Sequence, residues 1–265
     1  MIAVGVDVAE AKKGLDVVAI GSDRRIVASW GRLSLEDVAA LVNDEIRPQI
    51  VCVDSPSGWS KSGSSRQAER ELAKMRISSF ATGADPGDHS FYRWMRVGFA
   101  LFAAIADRYP LFEGDEPSGR AAEVFPHASS VLLAGRAKTQ SETKVQFRRK
   151  VLRSRGIDES ALPSIDRVDA ALAALTGLLA LEKKWTWVGD PLEGVILLPK
   201  QRPEPLPAGV SPTVSAAGPL ERRASLRRRP SACGGDVGTR YVVGKPTVMP
   251  PATPPKPEAP NRPVE

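Results

Sequence analysis

The chain has 265 residues, 42% of them hydrophobic, and a formal net charge of +6. Residues 200–265 hold 11 Lys+Arg against 5 Asp+Glu, whereas residues 1–199 hold 26 of each. The length supports one good-sized domain with a real core or two small ones, and the placement of charge excludes reading residues 1–199 as a basic nucleic-acid binder.

Met1 to Ala9 is a continuous run of apolar or small residues interrupted by one carboxylate, Asp7. Such a run reads as a buried strand. Leu15–Ile20 and Arg25–Trp30 follow as second and third strands. The connections are short, so the three strands form an antiparallel meander. Ser34 caps a helix with Asp37 three residues on, close to a capping box. Ile50-Val51-Cys52-Val53 is a fourth, fully apolar strand that stops at Asp54-Ser55-Pro56. A helix between the meander and this strand implies that it returns parallel to the first. Asp7 and Asp54 then stand together at the carboxyl ends of neighbouring strands, where open α/β sheets place ligands.

Helices are expected at about Ser65–Met75 and Tyr92–Tyr109, then a short strand at Ala121–Phe125 halted by Pro126. Helical segments follow around His127–Leu133 and Glu142–Arg153. Pro163 opens a long helix to about Lys184, with proline at the favoured first position. Val195–Leu198 is a last strand closed by Pro199. From Lys200 the composition changes, with 14 of the 23 prolines and the runs Arg222-Arg223 and Arg227-Arg228-Arg229. The expected organisation is therefore a domain over 1–199 and a disordered Pro/Arg-rich tail over 200–265. The tail reads as a nucleic-acid tether or as a neutral extension.

Two cysteines, Cys52 and Cys233, make no disulfide framework, and the N-terminus lacks signal-peptide character. The longest apolar run, Ala170–Leu181, is 12 residues, too short to span a bilayer. A cytoplasmic protein without a membrane partner is expected.

Four carboxylates interrupt apolar or small-residue contexts: Asp7, Asp54, Glu123 and Asp169. Asp166 precedes Asp169 by three residues and shares its helix face. Oxygen-rich sets of this kind suit Mg²⁺ or Mn²⁺, and two such ions can activate water against a phosphodiester. Blander readings stand beside this one. Asp54 before Ser-Pro is a turn former, Asp166 complements a helix N-terminus, and Glu123 is a strand-edge charge. Arg66 and Arg70, one helical turn apart, bind a phosphate or form a solvated helix face. His127 is a proton shuttle or, preferably, a helix cap, and His89 belongs to a polar loop. Lys61-Ser62-Gly63-Ser64-Ser65 lacks the order of a phosphate-binding loop.

Taken in order, several motifs resemble one family. They are Gly5-Val6-Asp7-Val8-Ala9, Val53-Asp54-Ser55-Pro56-Ser57-Gly58, and Arg66 and Arg70 with Glu69 and Glu71. Met95-Arg96-Val97-Gly98-Phe99, Glu123-Val124-Phe125-Pro126, Asp166-Arg167-Val168-Asp169-Ala170-Ala171-Leu172 and Gly189-Asp190-Pro191-Leu192-Glu193-Gly194 continue the series. Over about residues 1–199 the sequence resembles the predicted ribonuclease H-like nucleases of domain-of-unknown-function family 429. The resemblance implies a ribonuclease H-like α/β fold, a mixed sheet flanked by helices, and a metal-dependent nuclease. Catalytic residues would be Asp7, Asp54, Glu123 and Asp169. Metal ligands would be Asp7, Asp54, Asp166 and Asp169, with Mg²⁺ or Mn²⁺ as cofactor, Arg66 and Arg70 near substrate, and nucleic acid as partner. The competing classes are an actin-like or sugar-kinase-type phosphotransferase, which needs a second related domain, and a non-catalytic nucleic-acid-binding module. Carboxyl groups of Asp7, Asp54 and Asp169 within roughly 8 Å of one another favour the nuclease.

Overall fold

The computed structural model describes residues 1–61 and 63–200. The tail expectation beyond Lys200 lies outside the described residues. Seven strands form one sheet in the order β3-β2-β1-β4-β5-β7-β6. They are β1 (Ile2–Asp7), β2 (Leu15–Gly21), β3 (Ile26–Leu33), β4 (Ile50–Asp54), β5 (Arg120–Val124), β6 (Trp185–Asp190) and β7 (Gly194–Pro199). The first three are an antiparallel meander. Strands β4, β5 and β7 then add in parallel beyond β1, and β6 closes the edge antiparallel to β7. A three-strand meander whose first strand also pairs in parallel with the fourth is the ribonuclease H-like mixed sheet that the motifs implied.

Strand β6 is an addition to the strands read from sequence. Trp185-Thr186-Trp187-Val188 has the β-branched and aromatic character of a strand. It directly follows a long apolar helix, however, and only its pairing with β7 separates the two. The remaining strand expectations hold to within a residue or two, except that β3 runs three residues beyond the expected Trp30, to Leu33.

Six α-helices cover the sheet: α1 (Leu35–Ala40), α2 (Gln67–Lys74), α3 (Arg93–Ile105), α4 (Pro126–Ala134), α5 (Lys144–Ser154) and α6 (Ile165–Leu181). Ser34 caps α1 through a full capping box with Asp37, and the helix runs on into a π-helical stretch, Leu41–Ile46, before β4. Helix α6 is capped by Ser164, whose side chain accepts from Arg167 N at 3.1 Å. Pro163 therefore precedes the cap and is not the first helical residue. The serine hydroxyl satisfies a free N–H that proline in the first turn would merely lack.

On one face, α6 lies across β1, β2 and β4, with α4 and α5 outside it. On the other face, α1, its π-helical continuation and α3 cover the same strands through Val38, Leu41, Leu101, Phe102 and Ile105. A sheet covered on both faces needs apolar strands throughout, which explains why β2 and β7 are buried at every residue. Contact between α6 and β1 is backbone to backbone. A methyl group built on Gly5 would lie 2.0 Å from Ala170 O and 2.4 Å from Ala174 N. The described residues build one sheet, and the second related domain of an actin-like phosphotransferase is not among them. Among these residues no helix is long and apolar enough to cross a membrane.

Candidate metal centre

In the parallel ladder between β1 and β4, Val6 pairs with Val53 and Asp7 with Asp54. Both aspartates are the last residues of their strands, so the register itself puts two carboxylates side by side at one edge of the sheet. Asp169 approaches from above, one turn into α6. The close packing at Gly5 brings that turn down onto the strand end. One carboxylate oxygen from each of Asp7, Asp54 and Asp169 lies within 4.8 Å of the other two. This is well inside the separation that favours a shared cation.

The electrostatics of the trio are those of a cation site. Burial pushes the Asp7 carboxyl up to about 9, and the neighbouring Asp54, Asp169 and Asp166 push in the same direction against the weaker pull of Lys13. Burial also pushes Asp54 up, to about 8, with Asp169 adding to the rise and Arg148 and Lys144 opposing it. Asp169 is 4% exposed. It makes ion pairs with Arg148 and, at 3.2 Å, with Lys144. The Arg148 guanidinium meets its buried Oδ1. Three convergent, largely buried carboxylates match the all-oxygen preference of a hard divalent cation.

The other acidic candidates stand elsewhere. Asp166 is held by Lys13 at 3.0 Å and lies outside the trio, although its charge reaches Asp7. The one-turn offset that puts it on the same helix face as Asp169 also carries it past the strand ends. Glu123 differs more sharply from the expectation of a catalytic carboxylate. Its Oε2 accepts from Arg66 Nη1 at 2.8 Å and from Ser57 N at 2.9 Å, and its Oε1 accepts from Arg66 Nη2 at 2.5 Å. Both lone-pair faces are thus occupied by the protein itself.

Arg66 corrects the picture of a solvated helix face, being 1% exposed. It also donates to Glu69, from its own backbone N and from Nε. Ser57 lies three residues beyond Asp54, so this network anchors the segment between β4 and α2. Glu193, in the β6–β7 turn, anchors the same segment by accepting from Ser60 Oγ, Lys61 N and Gln67 N, each at 3.1 Å. Glu71 accepts from Gly189 N at 2.9 Å. Gly194 fits beside them because a Cβ there would lie 2.4 Å from Ser57 Oγ. Among the acidic residues of the family-like motifs, Asp7, Asp54 and Asp169 form the trio, whereas Glu69, Glu123 and Glu193 pin the adjoining loop.

Arg70 is exposed and donates to Ser65 O. His127 is not a cap: Phe125 occupies the cap position of α4, and Pro126 and His127 begin the helix. Burial depresses the His127 pKa, with Arg148 and Lys144 adding to the effect. His89 caps the short 3₁₀ turn Ser90–Tyr92, its Nδ1 accepting from Phe91 N. Lys144 and Arg148, the cationic support of Asp169, were missed from sequence. They sit four residues apart on a helix rich in Lys and Arg, where no local signal separates a buried arginine from solvated ones.

The Thermus thermophilus RuvC structure is similar to this chain at 17% identity and a TM-score of 0.41, over 72% of this chain and 99% of that one. No curated protein matches. Residues 5–193, which contain the whole trio, match the family described as protein of unknown function (DUF429), and the chain belongs to that family.

Proposed function

We propose that this protein is a divalent-cation-dependent nuclease that hydrolyses phosphodiester bonds. The observation that carries the reading is the trio Asp7, Asp54 and Asp169, with carboxylate oxygens within 4.8 Å on two paired strand ends and a buried helix turn. These residues would hold Mg²⁺ or Mn²⁺, and ions so held supply an activated water and stabilise the leaving oxygen of the diester.

The protein's own share is placement. Asp7 and Asp54 are fixed by a ladder that cannot slip without turning their side chains to opposite faces. Lys144 and Arg148 orient Asp169, and Lys13 draws Asp166 aside. The cation-free site holds protons on Asp7 and Asp54 at neutral pH, and these leave as the cation enters.

Calorimetric titration with Mn²⁺ tests the site: binding is expected for the wild type and lost in Asp7→Asn. Incubation with single-stranded, duplex, hybrid and branched nucleic acids tests the activity. Cleavage that disappears in Asp7→Asn and Asp54→Asn supports the reading. No cleavage of any of them with either metal overturns it.

A further inference from the structure

Beside the trio, the segment from Trp59 to Phe99 gathers rings that the core does not need. Phe80 meets Phe91 edge to face at 5.7 Å, Phe91 meets Tyr92 at 5.0 Å, and Tyr92 meets Trp59 at 5.8 Å. The guanidinium of Arg96 lies over the Trp59 ring, 5.4 Å from its centre. The ridge begins in water, with Phe80 66% exposed and Phe91 47% exposed. Burying a phenylalanine is worth about 1.5–3 kcal/mol, so two adjacent exposed rings forgo stability that the fold could have used.

The ridge adjoins the acidic site. A cavity of about 60 Å³ is lined by Asp54 together with Phe80, Thr82, Trp94, Phe125 and Ile196. The same cavity is thus lined by a member of the trio and by the outermost ring. Charge agrees with this placement. Residues 59–99 hold 7 Lys+Arg against 4 Asp+Glu, one of the seven being Arg66, buried against Glu69 and Glu123, although residues 1–199 balance overall. Lys61 and Arg93 are exposed along the segment. Flat rings with free faces, interspersed with cations, are what unpaired nucleobases stack on while their phosphates are neutralised. A duplex offers no free base faces to such a surface.

We infer that the Phe80–Phe91 end of this ridge is a stacking platform for unpaired bases, and that the substrate strand enters the site single-stranded. The inference rests on the nuclease reading and names its substrate class. The phosphate of a stacked nucleotide is then delivered to the Asp54 side of the cavity.

The test uses full-length protein carrying Asp7→Asn to prevent turnover, and fluorescence anisotropy with one labelled strand, free or annealed to its complement. Phe80→Ala/Phe91→Ala is expected to weaken single-strand binding roughly five- to a hundredfold, as loss of one or two stacked bases would. Duplex binding is expected to be unchanged, and Phe80→Tyr/Phe91→Tyr to retain the wild-type single-strand affinity. Both rings are exposed, so the thermal midpoint of the alanine variant is expected to match its parent. Equal affinity for single strand and duplex, or an alanine variant that binds single strands normally, overturns the inference. So does a change in oligomeric state on sedimentation, which would make the ridge a contact between copies. Mn²⁺ titration and cleavage by the Asp7-bearing protein, run in parallel, separate the two failures. Metal binding and cleavage that ignore the rings refute the platform alone, whereas absence of cleavage refutes the nuclease.

Discussion

At the scale of single residues, the consequential fact is that Asp7 and Asp54 carry carboxyls pushed far above their ordinary range. A folded-state pKa raised over the unfolded one means that the native protein binds more protons between the two values. Stability then falls as pH rises through that window. The contribution of these two groups to the stability of the metal-free protein is therefore expected to be fully present below the unfolded value of 3.8 and to be lost steadily as pH rises towards the folded value of about 9 for Asp7. Asp7→Asn removes one of the two titrating groups. Urea unfolding at a series of pH values should show a shallower decline for the variant and greater stability than wild type at pH 8. A variant that tracks the wild-type curve would show that the trio does not carry the burial cost assigned to it. The two arginines of α2 and its cap contrast in the same way. Arg66→Met leaves Glu69 and Glu123 buried without their cation and should cost about 3–5 kcal/mol. Arg70→Ala, on the exposed side, should stay within about 0.5 kcal/mol of wild type in the same unfolding experiment.

At the scale of elements, the site depends on how closely α6 can lie on the sheet. Gly5 faces the backbone at Ala170 and Ala174, and Gly177 faces Cys52 Sγ, Ile50 and Ala3. A stripe of small residues on α6 therefore meets the strands that end in Asp7 and Asp54. Gly5→Ala should cost about 1–3 kcal/mol by overpacking. Because the helix that must shift carries Asp169, Mn²⁺ affinity should fall as well. An unchanged affinity at reduced stability would mean that α6 tilts about its N-terminal turn and spares the site. Helix α3 shows the same closeness, since a Cβ on Gly98 would lie 1.9 Å from Ser55 Oγ, beside Asp54.

These elements also show what the sequence discloses. The meander, the parallel return of β4 and the long apolar helix follow from periodicity and turn residues. The trio follows from asking why a carboxylate interrupts an apolar run. Glu123 answers to the same rule but is bound by Arg66, 57 residues away in sequence. Long-range pairing of that kind leaves no trace in local pattern. Strand β6 escaped for a related reason: a strand at a sheet edge is defined by its neighbour, and β7 was the only evidence for it.

At the scale of the whole molecule, the proposed cation binding would be coupled to folding. A cation that binds only the native state raises stability by mass action, about 2.7 kcal/mol at a hundredfold excess over its dissociation constant. Thermal unfolding should therefore shift upward with Mn²⁺ concentration in the wild type and stay flat in Asp7→Asn. Titration at pH 7 in buffers of different ionisation enthalpy should show proton release on binding, as the raised carboxyls of Asp7 and Asp54 require. Binding without proton release would place the cation away from these two groups.

The distribution of the trio along the chain also sets an order of events during synthesis. Asp7 and Asp54 are adjacent once β1 and β4 have paired, but Asp169 is 115 residues further on. At ordinary elongation rates the ribosome needs roughly 6–23 s to add that interval. Through that time the nascent chain holds only two of its three carboxylates. On the nuclease reading proposed above, the chain would lack a complete acidic trio while it is still beside the messenger that encodes it. The trio is complete only after α6 has left the ribosome and settled on β1, when little of the domain remains to be made.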